Sequence, residues 1–502
     1  MENALGFVWK YSIGNPLHLV LALVLGTTIT FALNVFYNIF LHPLRNYPGP
    51  LASRATGLWR AHKLLSGHLP QIVKQLHDEY GPVIRIAPNE LSFIDSEAWK
   101  DIYGHHGSYE MAKDPRFYRF VGNRIPHNVS TAGRELHSVM RRQLSHGFSE
   151  RSMRAQEPCI GEYVDLLIHR LEEKCSDGKT ALEMRAWLNF TTFDIIGNLG
   201  FGSDFGCLEN SKYHPWVLTI VENLRSHAIM RALRQYLPAY VLYLLQEHRV
   251  LKGRKENIEY AYQTIRKRME VEVERPDLIE GLVRKKNELA PGEIELNAMF
   301  LINAGSETTA TLLSGAFFLL GSHRDVLEKL TREVRTTFSS EKDITLISVG
   351  SLSYMLACLD ECLRMYPPVP LGLPRVVPKG GFKIAGNYVP EDTSVAVWQW
   401  AINYSKVHWH KPDEFHPERF LGDKQFANDN LIAMQPFSAG PRNCIGRNLA
   451  YAEMRLILAR ILYRFDIELA PEARDWVKRQ KIYTLWDKPE LPVYLKPVNA
   501  GG

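Results

Sequence analysis

The sequence shows no strong excess of charge of either sign. Its 60 basic and 55 acidic residues leave a formal net charge of +5, too mild a balance to argue for a nucleic-acid surface. It has no cysteine framework: six cysteines are scattered over 502 residues. That pattern excludes a disulfide-stapled secreted scaffold and suits a reducing compartment. Cys358 and Cys362 lie one helical turn apart, but no His or Cys pair nearby completes a zinc site. A glycine-rich flavin or nicotinamide fingerprint is missing, so electrons for any redox chemistry must come from a partner. No composition break, linker or internal repeat divides the chain, although its length alone would allow roughly two or three domains.

Charge is also missing from one long stretch. From Leu17 to Phe40 there is no Asp, Glu, Lys or Arg. As a helix, about 24 residues span roughly 36 Å, enough for a tilted membrane crossing. A cleaved signal peptide fits less well, because the run exceeds a typical apolar h-region and no clear small-residue cleavage site follows it. A buried core helix is the weaker reading at this length. Glu2 and Lys10 precede the span, whereas Arg45, Arg54, Arg60 and Lys63 follow it. The more positive flank stays in the cytosol, which puts the main domain there and, in a eukaryote, on the endoplasmic reticulum. Tyr47-Pro-Gly-Pro50 then makes a stiff turn that ends any helix.

The most specified stretch is Phe437-Ser-Ala-Gly-Pro-Arg-Asn-Cys-Ile-Gly446. Cys444 sits between two glycines with Arg442 before it and Arg447 after it. The apolar run Leu449, Met454, Leu456, Ile457, Ile461 and Leu462 predicts a helix starting just behind it. A thiolate there would feel the positive helix end and accept backbone N–H bonds. A free cysteine is usually a small buried hydrophobe, and Cys159, Cys175, Cys207, Cys358 and Cys362 read that way. Residues 296–320 predict a long, nearly charge-free and therefore buried helix. Its centre, Ala304-Gly-Ser-Glu-Thr-Thr309, holds a glycine that costs roughly 1 kcal/mol relative to Ala, and an acid. Gly305 would leave room beside the helix, and Thr308 can divert a backbone hydrogen bond. That places an acid and an alcohol where protons can be delivered. Glu361 and Arg364 lie three apart on a predicted helix over 352–366, and His137 and Arg141 share a helix face.

Four motifs resemble the cytochrome P450 family, the haem-thiolate monooxygenases, and occur in that family's order. They are Ala304–Thr309, Glu361-x-x-Arg364, Phe415–Phe420 with Arg419, and Phe437–Gly446 with its Phe, Gly, Arg, Cys and Gly. The resemblance covers essentially the whole chain after the anchor. It departs from the family at His137, where most members carry Trp; both side chains offer one N–H. The stretch from His137 to His146 and the proline hinge look most like filamentous-fungal members of secondary metabolism.

The resemblance implies a mainly α fold with a small β subdomain, the cytochrome P450 fold, preceded by one transmembrane helix. Residues 1–45 would be the anchor and 46–500 the catalytic domain. A b-type haem would be ligated through iron by Cys444, whose thiolate favours O–O cleavage. Phe437, Gly440, Arg442 and Gly446 would surround the ligand, with His137, Arg141 and Arg375 at the haem propionates and Ala304 and Gly305 over the haem. Glu307 and Thr308 would relay protons. Glu361, Arg364 and Arg419 would form a buried ionic network. The implied co-substrate is O2, and the partner is a membrane-bound NADPH–cytochrome P450 reductase. The implied substrate is an apolar small molecule (a polyketide, terpenoid or alkaloid) that is hydroxylated, epoxidised or desaturated. Two other readings share the motif. A haem-thiolate isomerase or dehydratase would not use O2, and an intact Glu307–Thr308 pair speaks against it. A non-catalytic haem-binding membrane protein would show no NADPH-dependent turnover with a reductase.

Further expectations are local. Residues 71–80 predict an amphipathic helix. Val83–Ile86 and Glu90–Ile94 predict a hairpin, and 382–398 predict short strands with a turn at Ala385-Gly-Asn. Residues 108–132 predict a loop in which Phe117, Tyr118 and Phe120 line a pocket. Val369, Leu371 and Leu373 are further lining candidates. Residues 155–290 predict amphipathic helices, with 226–246 as a roof near the membrane and the basic residues of 252–268 on a solvated face. The sequons at Asn128, Asn189 and Asn403 would stay unmodified in the cytosol.

Overall fold

The computed structural model describes residues 16–498 apart from 108, 119–126, 223, 235, 236, 238–240, 242–250, 271–274 and 285–287. The charge-free stretch forms the helix Pro16–Phe36, continued by a π-helical turn Tyr37–Leu41. Its candidate membrane span, Leu17–Leu41, is 25 residues long and its apolar window is exposed; only its end docks on the rest of the protein, where buried Asn38 donates to the Ala55 carbonyl. Thr27, Thr28 and Thr30 donate their hydroxyls to the carbonyls of Val24 and Gly26, about one turn back. That satisfies the few hydroxyls an apolar surroundings would penalise.

Where the chain leaves this helix, one buried cation organises it. Gly49 has φ +151°, and a Cβ there would stand 2.5 Å from the Arg85 carbonyl oxygen. The glycine between the two prolines is thus required by close backbone approach. The Arg85 amide donates to the Pro48 carbonyl at 2.7 Å. Its guanidinium donates to the carbonyls of Pro88 (2.7 and 2.9 Å) and Asn38 (2.9 Å). Burial and the nearby Arg54 push it down to about 10.

The predicted local elements form where their periodicity puts them. The amphipathic helix is Leu69–Tyr80, and the hairpin is Val83–Ala87 with Glu90–Phe93, bulged between Arg85 and Ala87. The long buried helix is Pro291–Ser322, the Glu361–Arg364 helix is Ser353–Met365, and the helix behind the cysteine is Arg447–Arg464. The hairpin joins a five-stranded sheet. Glu90–Phe93 runs parallel to Ser394–Val397, which pairs antiparallel with Arg375–Val376, which pairs with Ala112–Lys113. A three-stranded sheet, Ala181–Glu183, Pro492–Pro497 and Phe465–Leu469, closes the other end. One apolar core lies among the helices and a second beneath the five-stranded sheet. The fold is therefore mainly α with small sheets and one N-terminal apolar helix, as the sequence implies.

Three local readings need correcting. The helix Met184–Phe201 is not amphipathic but buried on all sides. It lies between the helices Glu150–Cys175 and Pro291–Ser322. Its polar residues are accounted for inside: Asp194 accepts the amides of Phe205, Cys207 and Leu208. On the helix Leu251–Glu270, Arg268 is not solvated but buried in an ion pair with Asp277 at 2.7 Å. The loop over 108–132 contains the short strand Ala112–Lys113 and the helix Pro115–Tyr118. Most of the predicted roof beyond Arg234, including Pro238, lies outside the described residues, as does Phe120. Asn189 and Asn403 are fully buried, donating to the Tyr213 hydroxyl and the Arg364 carbonyl, so the folded chain offers neither to a glycan.

The Glu361 carboxylate is fully buried between two guanidinium groups. Arg364 meets it at 2.7 and 2.8 Å, Arg419 at 3.0 Å, and the His416 amide at 2.9 Å. Asp429, which the sequence reading did not include, adds a second carboxylate to Arg419. Arg364 also donates to the carbonyls of Asn403 and Pro412. The network therefore ties the helix Ser353–Met365 to the chain from 403 to 429, which leads into the cysteine loop. Glu361→Gln leaves two buried guanidinium groups undercompensated, and we expect it to lower unfolding free energy by about 3–5 kcal/mol. Arg324→Ala, which removes an exposed pair with Glu328, should leave the denaturant midpoint unchanged. Equal midpoints for both variants would remove the network from the stability of the fold.

Candidate active site

Cys444 lies between a one-turn 3-10 helix, Gly440–Arg442, and the helix Arg447–Arg464. Its amide donates to the Phe437 carbonyl at 2.8 Å and closes the loop. Gly440 has φ +72°, and a Cβ on it would sit 1.8 Å from the Tyr103 carbonyl oxygen. Only glycine fits there. Gly446 differs: its φ is −86°. A Cβ on it would meet Phe148 at 3.6 Å and the Cys444 sulfur at 3.9 Å, both ordinary contacts. The two flanking glycines therefore serve different needs, one a backbone crossing and the other space beside the sulfur.

Arg141 grips the loop from its other side. It donates to the Asn443 carbonyl at 2.6 Å and to the Asn443 Oδ1 at 2.5 Å. The sequence reading gives Arg141 to a propionate; here its guanidinium braces the residue before the cysteine. Cys444 is exposed, yet surrounding protein is the largest influence on its thiol and pushes it up. The Gly446 N–H and the guanidinium groups of Arg141 and Arg447 pull the other way. The sulfur is thus accessible from outside while protein groups crowd it. A metal cation at such a thiol deprotonates it outright.

The helix Pro291–Ser322 is buried along most of its length. At its centre Phe300, Ala304 and Thr308, four apart and on one face, are only half-buried. The Thr308 hydroxyl donates back to the Ala304 carbonyl at 2.7 Å. Gly305 points elsewhere: a Cβ on it would stand 3.0 Å from Ile196, and Gly200 reciprocally admits Ile302. The room the sequence assigns to a groove is thus filled by a neighbouring helix. Glu307 is buried and runs forward along the helix, where its Oε1 meets the Lys488 ammonium and the Thr311 hydroxyl. The acid and the alcohol are adjacent in sequence but engage opposite directions along the helix axis.

A cluster of cations lies beside Cys444. Asn297 of the long helix accepts the Val129 amide and contacts Met140, which docks the helix Arg134–Leu144 beneath it. That helix presents His137, whose imidazole burial and Arg442 push down to about 4; it is neutral at ordinary pH and has one N–H to donate. Arg442 donates to Glu110 at 2.6 Å and to the Ala132 carbonyl. Arg375 is buried, donates to the Met111 carbonyl, and lies over the Tyr103 ring at 5.5 Å. Its Nε has no partner. Burial, Arg375 and Arg442 hold Lys113 well below the usual lysine range. Among the groups that influence Lys113, Glu110 is the one acid set against Arg375 and Arg442. Lys113 and Glu110 escaped the sequence reading because nothing local marks them.

These residues fit a haem. The chain offers an exposed thiol, a cluster of cations set against one carboxylate, an unpartnered guanidinium N–H, and a half-buried helix face with a small side chain and an alcohol. Phe437 is half-buried against the core and stacks near Tyr451. Val369 and Leu373 are half-buried, while Leu371 is buried in the sheet-side core. Gly440→Ala should fold with its cysteine loop displaced and bind haem poorly, whereas Gly446→Ala should retain most of the haem. The ratio of haem absorbance to protein absorbance after purification checks this, and equal retention would contradict the steric argument.

Comparison with known proteins agrees with the geometry. The cytochrome P450 family model matches residues 48–494. The chain is 49% identical to cytochrome P450 monooxygenase tpeC of Talaromyces stipitatus, over 96% of this chain and 95% of that protein. It is 45% identical to the trichothecene C-15 hydroxylase of Fusarium sporotrichioides, over 95% of this chain and 98% of the relative. It is also 45% identical to the averantin hydroxylase of Dothistroma septosporum, over 95% and 90%. The family model covers nearly all of the chain after the N-terminal apolar helix, and the chain belongs to the cytochrome P450 family.

Proposed function

We propose that this chain is a membrane-anchored haem-thiolate monooxygenase of fungal secondary metabolism. It inserts one oxygen atom of O2 into an apolar small molecule, and the other atom leaves as water. The observation that carries this reading is the exposed Cys444 sulfur on a loop fixed by Gly440 and Arg141, next to a cluster in which Arg375, Arg442 and Lys113 face the single carboxylate of Glu110. Residues 1–45 form the anchor and 46–500 the catalytic domain. The anchor's flanking charges support a domain on the cytosolic face of the endoplasmic reticulum. The relatives' names concern a trichothecene and averantin; by that likeness the substrate here is an apolar secondary metabolite.

Haem b, held through the Cys444 thiolate, supplies the activation of O2. His137, Arg375 and Arg442 would hold its acidic edge, and Lys113, which donates to the Ser130 carbonyl, lies among them. Arg141 and Gly440 fix the loop that carries the sulfur. The half-buried face of Phe300, Ala304 and Thr308 bounds the space above and limits water. Thr308 holds its hydroxyl on the Ala304 carbonyl and would be the alcohol through which a proton is delivered on that face. Glu307 supplies protons from the protein side. The overall reaction takes two electrons and two protons; the electrons come from NADPH through a separate reductase.

The reduced, carbon-monoxide-bound spectrum of the purified protein tests the ligand. A strongly red-shifted Soret band is expected for the native chain and its loss for Cys444→Ala; an imidazole-type band in a gently prepared native sample would overturn the assignment. Thr308→Ala should keep that spectrum but release more hydrogen peroxide per NADPH oxidised with the reductase, by roughly tenfold or more. An unchanged peroxide yield would remove Thr308 from proton delivery.

A further inference from the structure

Glu307 is a carboxylate with two differently treated oxygens. It is buried, and it faces an equally buried Lys488. Its Oε1 takes the Lys488 ammonium and, at 3.2 Å, the Thr311 hydroxyl. Lys488 donates in addition to the Thr311 oxygen at 2.6 Å. Its Oε2 has no partner at all. A buried oxygen left open on an otherwise fully engaged carboxylate is costly and wants an explanation.

Lys488 is itself held firmly. It follows the strand Trp486–Asp487, which pairs with Lys481–Ile482. Trp486 donates to the Pro367 carbonyl at 2.8 Å and stacks on Tyr366 at 4.2 Å. The Lys488 carbonyl accepts from Arg185 at 2.6 Å. Tyr366, whose hydroxyl donates to Gln480, and Tyr213 feel the Glu307 charge from two further elements. A lysine fixed this well by its hairpin positions the acid it binds.

We infer that Lys488, together with Thr311, is a positioning residue for proton delivery: it anchors Glu307 by Oε1 and leaves Oε2 free to take up and hand on protons. The inference rests on the monooxygenase reading above. The proton enters at Oε2 and leaves from Oε2, so the carboxylate is restored after each transfer. When protons arrive, O2 with four electrons and four protons becomes two waters. When they fail, two electrons and two protons give hydrogen peroxide. Peroxide therefore consumes one NADPH per O2 and water two.

The test needs no identified substrate. Full-length holoenzyme, an NADPH-dependent reductase and NADPH are combined, and peroxide released per NADPH oxidised is measured. Lys488→Met should raise the peroxide yield severalfold, up to roughly tenfold. Lys488→Arg should restore part of the loss, and Thr311→Val should raise peroxide less, in the same direction. A second readout uses the resting protein. Without the ammonium, the buried Glu307 takes up a proton, so Lys488→Met should gain a protonated-carboxyl infrared band. Adding Glu307→Gln should remove that band. Glu453, which burial pushes up to about 8, contributes equally to every sample. A native peroxide yield in both Lys488→Met and Thr311→Val, whatever their melting temperatures, overturns the inference, as does the absence of the new band. A native protein without the thiolate-type carbon monoxide spectrum would instead sink the underlying reading before any variant is compared.

Discussion

A cysteine reaches its sulfur through one rotatable bond, so the backbone of the loop decides where that sulfur sits. Here the loop is fixed from three sides. Gly440 crosses the Tyr103 carbonyl too closely for any side chain. The Cys444 amide is tied to Phe437, and Arg141 holds both polar groups of Asn443. Each tie comes from a different part of the chain. The Glu361 carboxylate, shared by Arg364 and Arg419, then locks the segment that leads into the loop. They convert a flexible thiol into a fixed one, and the rest of the site is arranged around that fixed point.

Most buried charges in this protein are matched. Glu361 faces two guanidinium groups, Arg268 faces Asp277, and Glu307 faces Lys488. Burial of a lone charge is too costly to persist without a reason, so the departures are informative. Arg85 is satisfied by carbonyls where the N-terminal apolar helix ends, and Asp194 by backbone amides. Another departure is the cluster of Lys113, Arg375 and Arg442 around neutral His137, against Glu110. Unmatched positive charge of that kind is a demand for an anionic partner, and it lies beside the exposed sulfur.

The sequence reveals what is local. Helices at 69–80, 291–322 and 447–464 and the hairpin at 83–93 follow from apolar spacing and turn residues, because neighbours along the chain fix them. The motif around Cys444 is legible for the same reason: it is a loop whose residues serve one another. What the sequence hides is long-range. Lys488 meets Glu307 from 181 residues away, Glu110 meets Arg442 from 332, and Asp429 completes a network begun at Glu361. No pattern within a window of ten or twenty residues marks such partners. Gly305 shows a subtler limit. A glycine in a buried helix announces a close approach, but only the fold says that the approaching group is Ile196 rather than a ligand.

The five-stranded sheet relates the membrane to the site. Its first strand, Val83–Ala87, carries Arg85, which grips carbonyls where the anchor ends. Its last two strands carry Arg375 and Lys113 of the cation cluster. Four strand spacings separate these edges, roughly 19 Å of continuous hydrogen-bonded backbone. The hinge is gripped a second time by Tyr47, whose hydroxyl donates to the Tyr388 carbonyl at 2.7 Å. Arg85 sits on the five-stranded sheet and Tyr388 on the separate hairpin Phe382–Ile384 with Asn387–Val389, so the two grips come from different sheets. A chain held at two such points cannot swing about its prolines alone, and the proline turn supplies the shape that fits against Arg85.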